Sequence, residues 1–507
     1  MHGRLRIGES RHGPIDPRVR RMKELEQTPT GVPGLDRLLR GGLRRRGLYA
    51  ILGETGCGKS VLAHQIGAAF AARGQRVLYL TALVESHPII LAQARTFRFF
   101  DPAWIPDDFY YAALYPALER DGLEGVHEEI TRSIRERRPG LIVVDGGHVL
   151  ETAAGSAMEF IRFLNALQTH GSVLGGTILL VANQVGRVRP SPIFTMPDAV
   201  LLLGKERIGR RDFRTITVKK YRGVAHIEGS HLIEITRDGI RVYPRLESVT
   251  TEHDIEARTP PVEPLAFGID GLDAMLAGGP TSCSTTLVAG TSGAGKTLLG
   301  LAFLAAGARA GYDGLFLGFH ETPDRLVDKA DAAGIPLREG IDAGKIQFLW
   351  KPSTELIADR VAEEILERVE NRAVRCIAID GLVDLLHAIP YDDRRLRFLN
   401  ALSYQLRTRG TGVVLTLEVP RIFGTDIRLP VEGISAAVDN IILLRYVEPH
   451  GELRRLVSIL KVRERDYDTS IREFTITSQG IRIGERVGEA SRLPEGMFHP
   501  RTTPGSD

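Results

Sequence analysis

The segment TGVPGLDRLLRGGL at residues 30–43 returns as FGIDGLDAMLAGGP at residues 267–280. Gly31, Gly34, Leu35, Asp36, Leu39, Gly41 and Gly42 recur as Gly268, Gly271, Leu272, Asp273, Leu276, Gly278 and Gly279, each displaced by 237 residues. A second segment keeps that register: GETGCGKS (53–60) becomes GTSGAGKT (290–297), so Lys59 maps onto Lys296. One offset shared by two separate motifs marks a tandem duplication, and each copy must then close its own core. A chain of 507 residues suits two large domains. The repeat places them at 28–248 and 263–487. Between them, residues 249–262 are polar, charged and proline-bearing, the composition of a linker. Residues 1–27 read as a basic, disordered arm, with a phosphate-binding tail as the alternative, and 488–507 as a disordered tail.

Within each copy, continuous apolar runs alternate with stretches long enough for crossover helices. LYAIL, RVLYL, LIVVD and TILLVA in the first half match TTLVAG, GLFLGF, CIAID and GVVLTL in the second. Such runs predict an α/β fold: a mostly parallel sheet covered by helices, written twice, each copy ending in a β-rich extension.

Each glycine loop follows a strand and opens a helix, the context in which the motif cradles phosphate. In the first loop Gly53, Thr55, Gly56 and Gly58 supply the turn, and in the second Gly290, Ser292, Gly293 and Gly295 do. Their amides and the helix dipole can hold the β- and γ-phosphates of ATP, with Lys59 and Lys296 adding a mobile positive charge. Ser60 and Thr297 supply the hydroxyl for Mg²⁺, and Asp145 and Asp380, each ending an apolar strand, the carboxylate. Taken alone, such an aspartate is usually a cap or turn residue. Glu85 and Glu321 follow the second strand of each half and are candidates to orient or deprotonate the attacking water, or else to cap the next helix. Neighbouring His87 and His320 lack a second ligand at metal spacing.

Composition narrows the class. A formal net charge of +3 supplies no global field toward nucleic acid or membrane. No run of 18 apolar residues and no signal-peptide core is present, which points to the cytoplasm and to no membrane partner. Three scattered cysteines, Cys57, Cys283 and Cys376, exclude a disulfide framework and a cysteine-rich zinc site. Cys57, within the first loop, reads as a small tolerated residue.

On these residues both halves resemble the KaiC family of RecA-fold ATPases over about residues 28–485. Beyond the loops, the marks are the Gly-Leu-Asp segment, the acid after the second strand and a late Lys-x-Arg, Lys220 and Arg222 in the first half and Lys461 and Arg463 in the second. The resemblance implies a hexameric, ATP-dependent ring in which Arg222 and Arg463 reach the neighbouring subunit's nucleotide. It also implies protein partners that read the nucleotide state. The alternative for these residues is two exposed basic hairpins. Two departures stand out. The family has two adjacent acids after the second strand, whereas this chain has Val84-Glu85 and His320-Glu321. The family's autophosphorylation region carries an adjacent Ser-Thr pair, whereas GISAAVDN keeps Ser435 beside Ala436, so serine/threonine autokinase activity is supported at one hydroxyl only.

A second reading comes from LLVANQVGRVRP. Asn183-Gln184 ends a core strand as in RecA and RadA recombination ATPases, where a polar side chain senses the γ-phosphate, and Arg187 and Arg189 follow in the loop. A DNA-dependent ATPase is therefore the alternative. It is not favoured, because Phe194 is the one aromatic available there for base stacking. A nucleotide-binding scaffold with little hydrolysis is a third reading.

Overall fold

A computed structural model describes residues 26–83, 87–184, 191–250, 260–419, 433–448, 452–463 and 465–487. The chain divides into two compact units, 1–244 and 245–507. Glu85, Arg187 and Arg189 lie outside the described residues, as do most of the expected linker and both tails.

The first unit is built on a nine-stranded sheet. Its strands are β1 (Leu48–Gly53), β2 (Val77–Thr81), β3 (Phe109–Ala113), β4 (Leu141–Asp145), β5 (Thr177–Asn183), β6 (Ala199–Ile208), β7 (Arg211–Tyr221), β8 (Ser230–Thr236) and β9 (Gly239–Tyr243). Their order is β9-β8-β7-β6-β1-β5-β4-β2-β3. The strands from β3 to β6 pair in parallel, and β7 to β9 add the antiparallel extension. The second unit repeats the plan with β10 (Thr285–Gly290), β11 (Gly314–Gly318), β12 (Ile346–Trp350), β13 (Cys376–Asp380), β14 (Gly412–Glu418), β15 (Asn440–Val447), β16 (Arg454–Val462), β17 (Arg472–Thr477) and β18 (Gly480–Arg486). The order β12-β11-β13-β14-β10-β15-β16-β17-β18 is the same topology. The runs predict this mostly parallel, helix-covered plan, and its repetition gives the two tandem RecA-like domains that the resemblance implies. The parallel edge strands β3 and β12 were not anticipated. As edge strands they carry partly exposed residues such as Tyr110 and Gln347, which interrupt the apolar run that marks a buried strand.

The central strands are apolar along their length because helices flank the sheet. All six residues of β1 and of β10 are buried. The helix after each glycine loop, α1 (Lys59–Ala71) in the first unit, is buried on most sides, so Leu62, Ala63, Ile66, Ala68 and Phe70 all sit in the core. Four more first-unit helices matter below: α2 (His87–Ala94), α3 (Tyr115–Arg137), α4 (Ala157–Leu174) and α5 (Pro192–Thr195).

The repeated Gly-Leu-Asp segment has a structural explanation. Asp36 accepts the Thr30 backbone N–H at 2.7 Å, and Asp273 accepts those of Phe267 and Ile269 at 2.7 and 3.0 Å. Leu35, Leu39, Leu272 and Leu276 are fully buried beside them. The carboxylate ties the entering chain while the leucines anchor it to the core.

The second unit opens with α6 (Leu246–Val249), followed by α7 (Lys296–Arg309), α8 (Pro323–Ala332), α9 (Ala358–Arg372), α10 (Asp392–Arg407) and α11 (Ile434–Ala437). A buried ion cluster fastens α6 to this unit. Arg394 donates to both carboxylate oxygens of Glu247, at 2.6 and 3.0 Å, and to both of Asp359, at 2.9 and 3.1 Å. Burial alone would raise the Glu247 pKa, but the Arg394 hydrogen bonds and charge outweigh it and hold the carboxyl below its ordinary value.

Candidate nucleotide sites

The first glycine loop leaves β1 at Gly53 and enters α1 through Gly58, whose φ is 107°. A Cβ at Gly58 would stand 2.6 Å from Ile235 Cδ1, and one at Gly295, where φ is 106°, 2.8 Å from Phe474 Cε1. Both conformation and close packing therefore require glycine at the mouth of each helix. The lysines fold back over their loops. Lys59 Nζ donates to the Glu54 carbonyl and Lys296 Nζ to the Thr291 carbonyl, both at 2.7 Å.

Hydroxyl and carboxylate meet in both copies. Ser60 Oγ donates to Asp145 Oδ2 at 2.9 Å, and Thr297 Oγ1 to Asp380 Oδ2 at 2.9 Å. The parallel order places each aspartate strand two positions from its loop strand, so the pair converges at the loop's lip. An all-oxygen donor set of one hydroxyl and one carboxylate fits Mg²⁺. Among the described residues no group of three or more His, Cys, Asp or Glu is arranged to hold a metal by itself.

The surroundings of the two aspartates differ. Tyr79 donates its hydroxyl to Asp145 Oδ2 at 2.7 Å. Burial, with the Asp145 charge, holds that hydroxyl in its protonated, donating form. His64 stacks on Tyr79 with centroids 4.2 Å apart, and its Nδ1 lies 2.7 Å from the Ser60 carbonyl. Facing a carbonyl, Nδ1 carries the proton. Burial pushes the His64 pKa down, so the ring is neutral, and Nε2 is a buried acceptor with no hydrogen-bond partner among the described residues. In the second copy Phe316 stands at the Tyr79 position and Leu301 at the His64 position. There Thr416 takes over, donating to Asp380 Oδ1 at 2.5 Å while accepting the Gly381 N–H at 3.0 Å.

A cavity of about 330 Å³ adjoins the first loop, lined by Ser60, Val61 and His64 of α1 and by Gln93, Ala94, Thr96 and Phe97 at the end of α2. Its mixed lining of apolar and hydrogen-bonding side chains continues directly from the candidate magnesium hydroxyl.

The remaining expected residues are placed as follows. Glu321 is paired with Lys329 of α8 at 2.6 Å, and His320 with Asp384 at 2.9 Å. Lys220 and Arg222 both donate to the Thr195 carbonyl at 2.7 Å, closing the C-terminus of α5. Lys461 donates to the carbonyls of Ser435 and Val438 at 2.5 and 2.8 Å, and Arg463 to that of Ala436 at 3.4 Å, closing α11 in the same way. Ser435, Arg222 and Arg463 are exposed.

Two features of the second site escaped the sequence reading. Tyr446 donates to the Gly293 carbonyl at 2.6 Å, with Arg455 Nε 3.2 Å from the tyrosine oxygen, so the β15–β16 hairpin braces the loop. Glu418, the last residue of β14, pairs in register with Gly290 and stands 4.0 Å from Lys296 Nζ. Asn183 holds the same register position opposite Gly53. That correspondence was the available signal, since Asp145 and Asp380 are spaced as Asn183 and Glu418 are.

The sequence model of the family described as "ATPase: KaiC" matches residues 28–247 and again 265–488. The chain belongs to the KaiC family of ATPases. A circadian clock oscillator protein KaiC of Picosynechococcus sp. is 27% identical over 495 residues, covering 94% of this chain and 93% of that protein. Circadian clock protein KaiC3 of Synechocystis sp. is 27% identical over 482 residues, covering 91% and 92%. Each KaiC match contains one lysine-bearing loop with its hydroxyl–aspartate pair, so this is a P-loop ATPase with two tandem RecA-like domains. Among the described residues no helix is long and apolar enough to cross a membrane.

Proposed function

We propose that the chain binds and hydrolyses Mg²⁺-ATP at both loops and assembles into an ATP-dependent ring whose state is read by protein partners. The observation that carries the reading is the duplicated Ser60–Asp145 and Thr297–Asp380 contact, each at the mouth of a lysine-bearing loop. Mg²⁺ supplies charge neutralisation between the β- and γ-phosphates when bound. Ser60 and Asp145, or Thr297 and Asp380, hold it, the loop amides orient the phosphates, and Lys59 or Lys296 moves from its carbonyl to the phosphate oxygens. The cavity beside Ser60 takes the base and ribose of the first nucleotide, with Phe97 and Val61 covering the base. Glu85 and Glu321 orient the attacking water. For Glu321 this requires release from Lys329.

Arg222 and Arg463 act across a subunit boundary, in a hexamer, on the neighbour's phosphates. Lys461 and Arg463 close the helix that carries Ser435, which links this strand to the one hydroxyl proposed as an autophosphorylation site in the second domain. The deciding experiment counts bound nucleotide. The wild-type chain retains two equivalents, and Lys59→Ala and Lys296→Ala lose about one each. Unchanged stoichiometry in either variant overturns the assignment for that loop. Sizing with and without Mg²⁺-ATP tests the ring, and phosphosite mapping after incubation with labelled ATP tests Ser435. Single-stranded DNA leaves the ATPase rate unchanged, whereas stimulation would favour the DNA-dependent reading.

A further inference from the structure

We propose that Glu418 is a specificity determinant of the second loop, lowering its preference for a nucleoside triphosphate over a diphosphate relative to the first loop. This rests on the nucleotide reading above. In the sheet order β11-β13-β14-β10, β14 is the strand beside the loop strand on the side of Asp380. Strands about 4.8 Å apart put the end of β14 between the loop and the magnesium aspartate. Glu418 is that end residue, in register with Gly290, and its carboxylate is 4.0 Å from Lys296 Nζ.

With the loop amides holding the β-phosphate, and Thr297 and Asp380 the residues that would hold Mg²⁺ and supply charge neutralisation, a terminal phosphate would project toward the space between Asp380 and the loop lysine. A carboxylate there opposes the γ-phosphate and leaves a diphosphate, which ends short of it, less affected. It also competes with the phosphates for the lysine. The same register position in the first loop is the neutral Asn183. Glu321, the carboxylate expected from sequence to work at this site, is engaged by Lys329, whereas Glu418 and, more weakly, Asp380 act on the loop lysine. Its side chain is 62% exposed, so solvent screens the repulsion and the effect is moderate.

The test isolates one loop at a time in the full-length chain. In a Lys59→Ala background, where the second loop reports alone, Kd is measured for ADP and for the non-hydrolysable β,γ-imido analogue of ATP, both with Mg²⁺. Glu418→Gln is expected to tighten the triphosphate relative to the diphosphate by about fivefold. In the reciprocal Lys296→Ala background, Asn183→Glu is expected to weaken the triphosphate relative to ADP at the first loop by a similar factor. Because the readout is a ratio of two ligands on one protein, loss of folded material does not imitate it. An unchanged ratio in Glu418→Gln, with both nucleotides still bound, overturns the proposal alone. Failure of the Lys59→Ala chain to bind either nucleotide, while Lys296→Ala still binds, overturns the nucleotide reading of the second loop and this proposal with it.

Discussion

The two candidate magnesium aspartates accept the same kind of loop hydroxyl with different support. Asp145 receives Ser60 and Tyr79 on a single oxygen, Oδ2, and the tyrosine comes from β2 on the far side of the aspartate strand. Asp380 receives Thr297 on one oxygen and Thr416 on the other, and Thr416 comes from β14 on the near side. After duplication the contact between hydroxyl and carboxylate was kept, while the group that orients the carboxylate changed strand. What is constrained is the direction of the acid, and more than one neighbour can set it.

The helices that cover the sheets diverge further. In the first unit, Ser156 caps α4 by accepting the Glu159 N–H at 3.2 Å, and Glu159 reaches back to accept the Gly155 N–H at 2.8 Å. The corresponding helix of the second unit has Arg394 at the Glu159 position, and it is spent on the buried cluster with Glu247 and Asp359. Arg394 is 5% exposed and Asp359 is 2% exposed, so removing the cation leaves buried carboxylates uncompensated. Arg394→Ala should therefore destabilise the second unit by about 3–5 kcal/mol. Glu159→Ala, which removes one exposed hydrogen bond, should cost the first unit about 1 kcal/mol or less. Chemical denaturation of the two variants checks both figures, and equal losses would remove the contrast.

Next in size are the aspartates themselves. Asp145→Asn and Asp380→Asn should each lower Mg²⁺-dependent ATP turnover at their own loop by about a hundredfold or more, read in the Lys296→Ala and Lys59→Ala backgrounds respectively. A sharper comparison comes from the supporting groups. Tyr79→Phe should weaken activity of the first loop by about tenfold and leave the second untouched, and Thr416→Val should do the reverse. A loss that crosses between loops would contradict separate support.

Much of this was legible because duplication writes each constraint twice. The glycine loops, Asp145 and Asp380, and the central strands announce themselves by offset and by apolar runs. Tyr79 and Thr416 do not, since each looks like an ordinary strand residue. Their role arises from register between strands 66 and 36 residues apart in sequence from their aspartates. Glu418 was passed over because the apolar run GVVLTL ends one residue before it, and its meaning depends on which strand lies beside β10. The autophosphorylation and cross-subunit roles proposed for Ser435, Arg222 and Arg463 depend on a neighbour, which one chain's sequence and fold do not contain.

The smallest expected difference is one of acid stability. His64 is buried and neutral, with its Nδ1 proton on the Ser60 carbonyl and its ring against Tyr79, and burial sets its folded pKa below the ordinary value. Unfolded, the same ring titrates near about 6.5. As pH falls through that value the unfolded chain takes up a proton that the folded chain refuses, so the first unit loses stability. The loss levels off only once pH drops below the folded pKa. A single group contributes a slope of at most about 1.4 kcal/mol per pH unit. Leu301 occupies the equivalent place in the second unit and adds no such slope. The chain has two tryptophans, Trp104 in the first unit and Trp350 in the second, so Trp350→Phe leaves a fluorescence probe of the first unit alone. Denaturation of that protein between pH 7 and pH 5 should show a stability loss that His64→Leu reduces. If the leucine variant keeps the full pH dependence, the acid sensitivity belongs to other groups, His148 and His170 among them, whose pKa values burial also lowers.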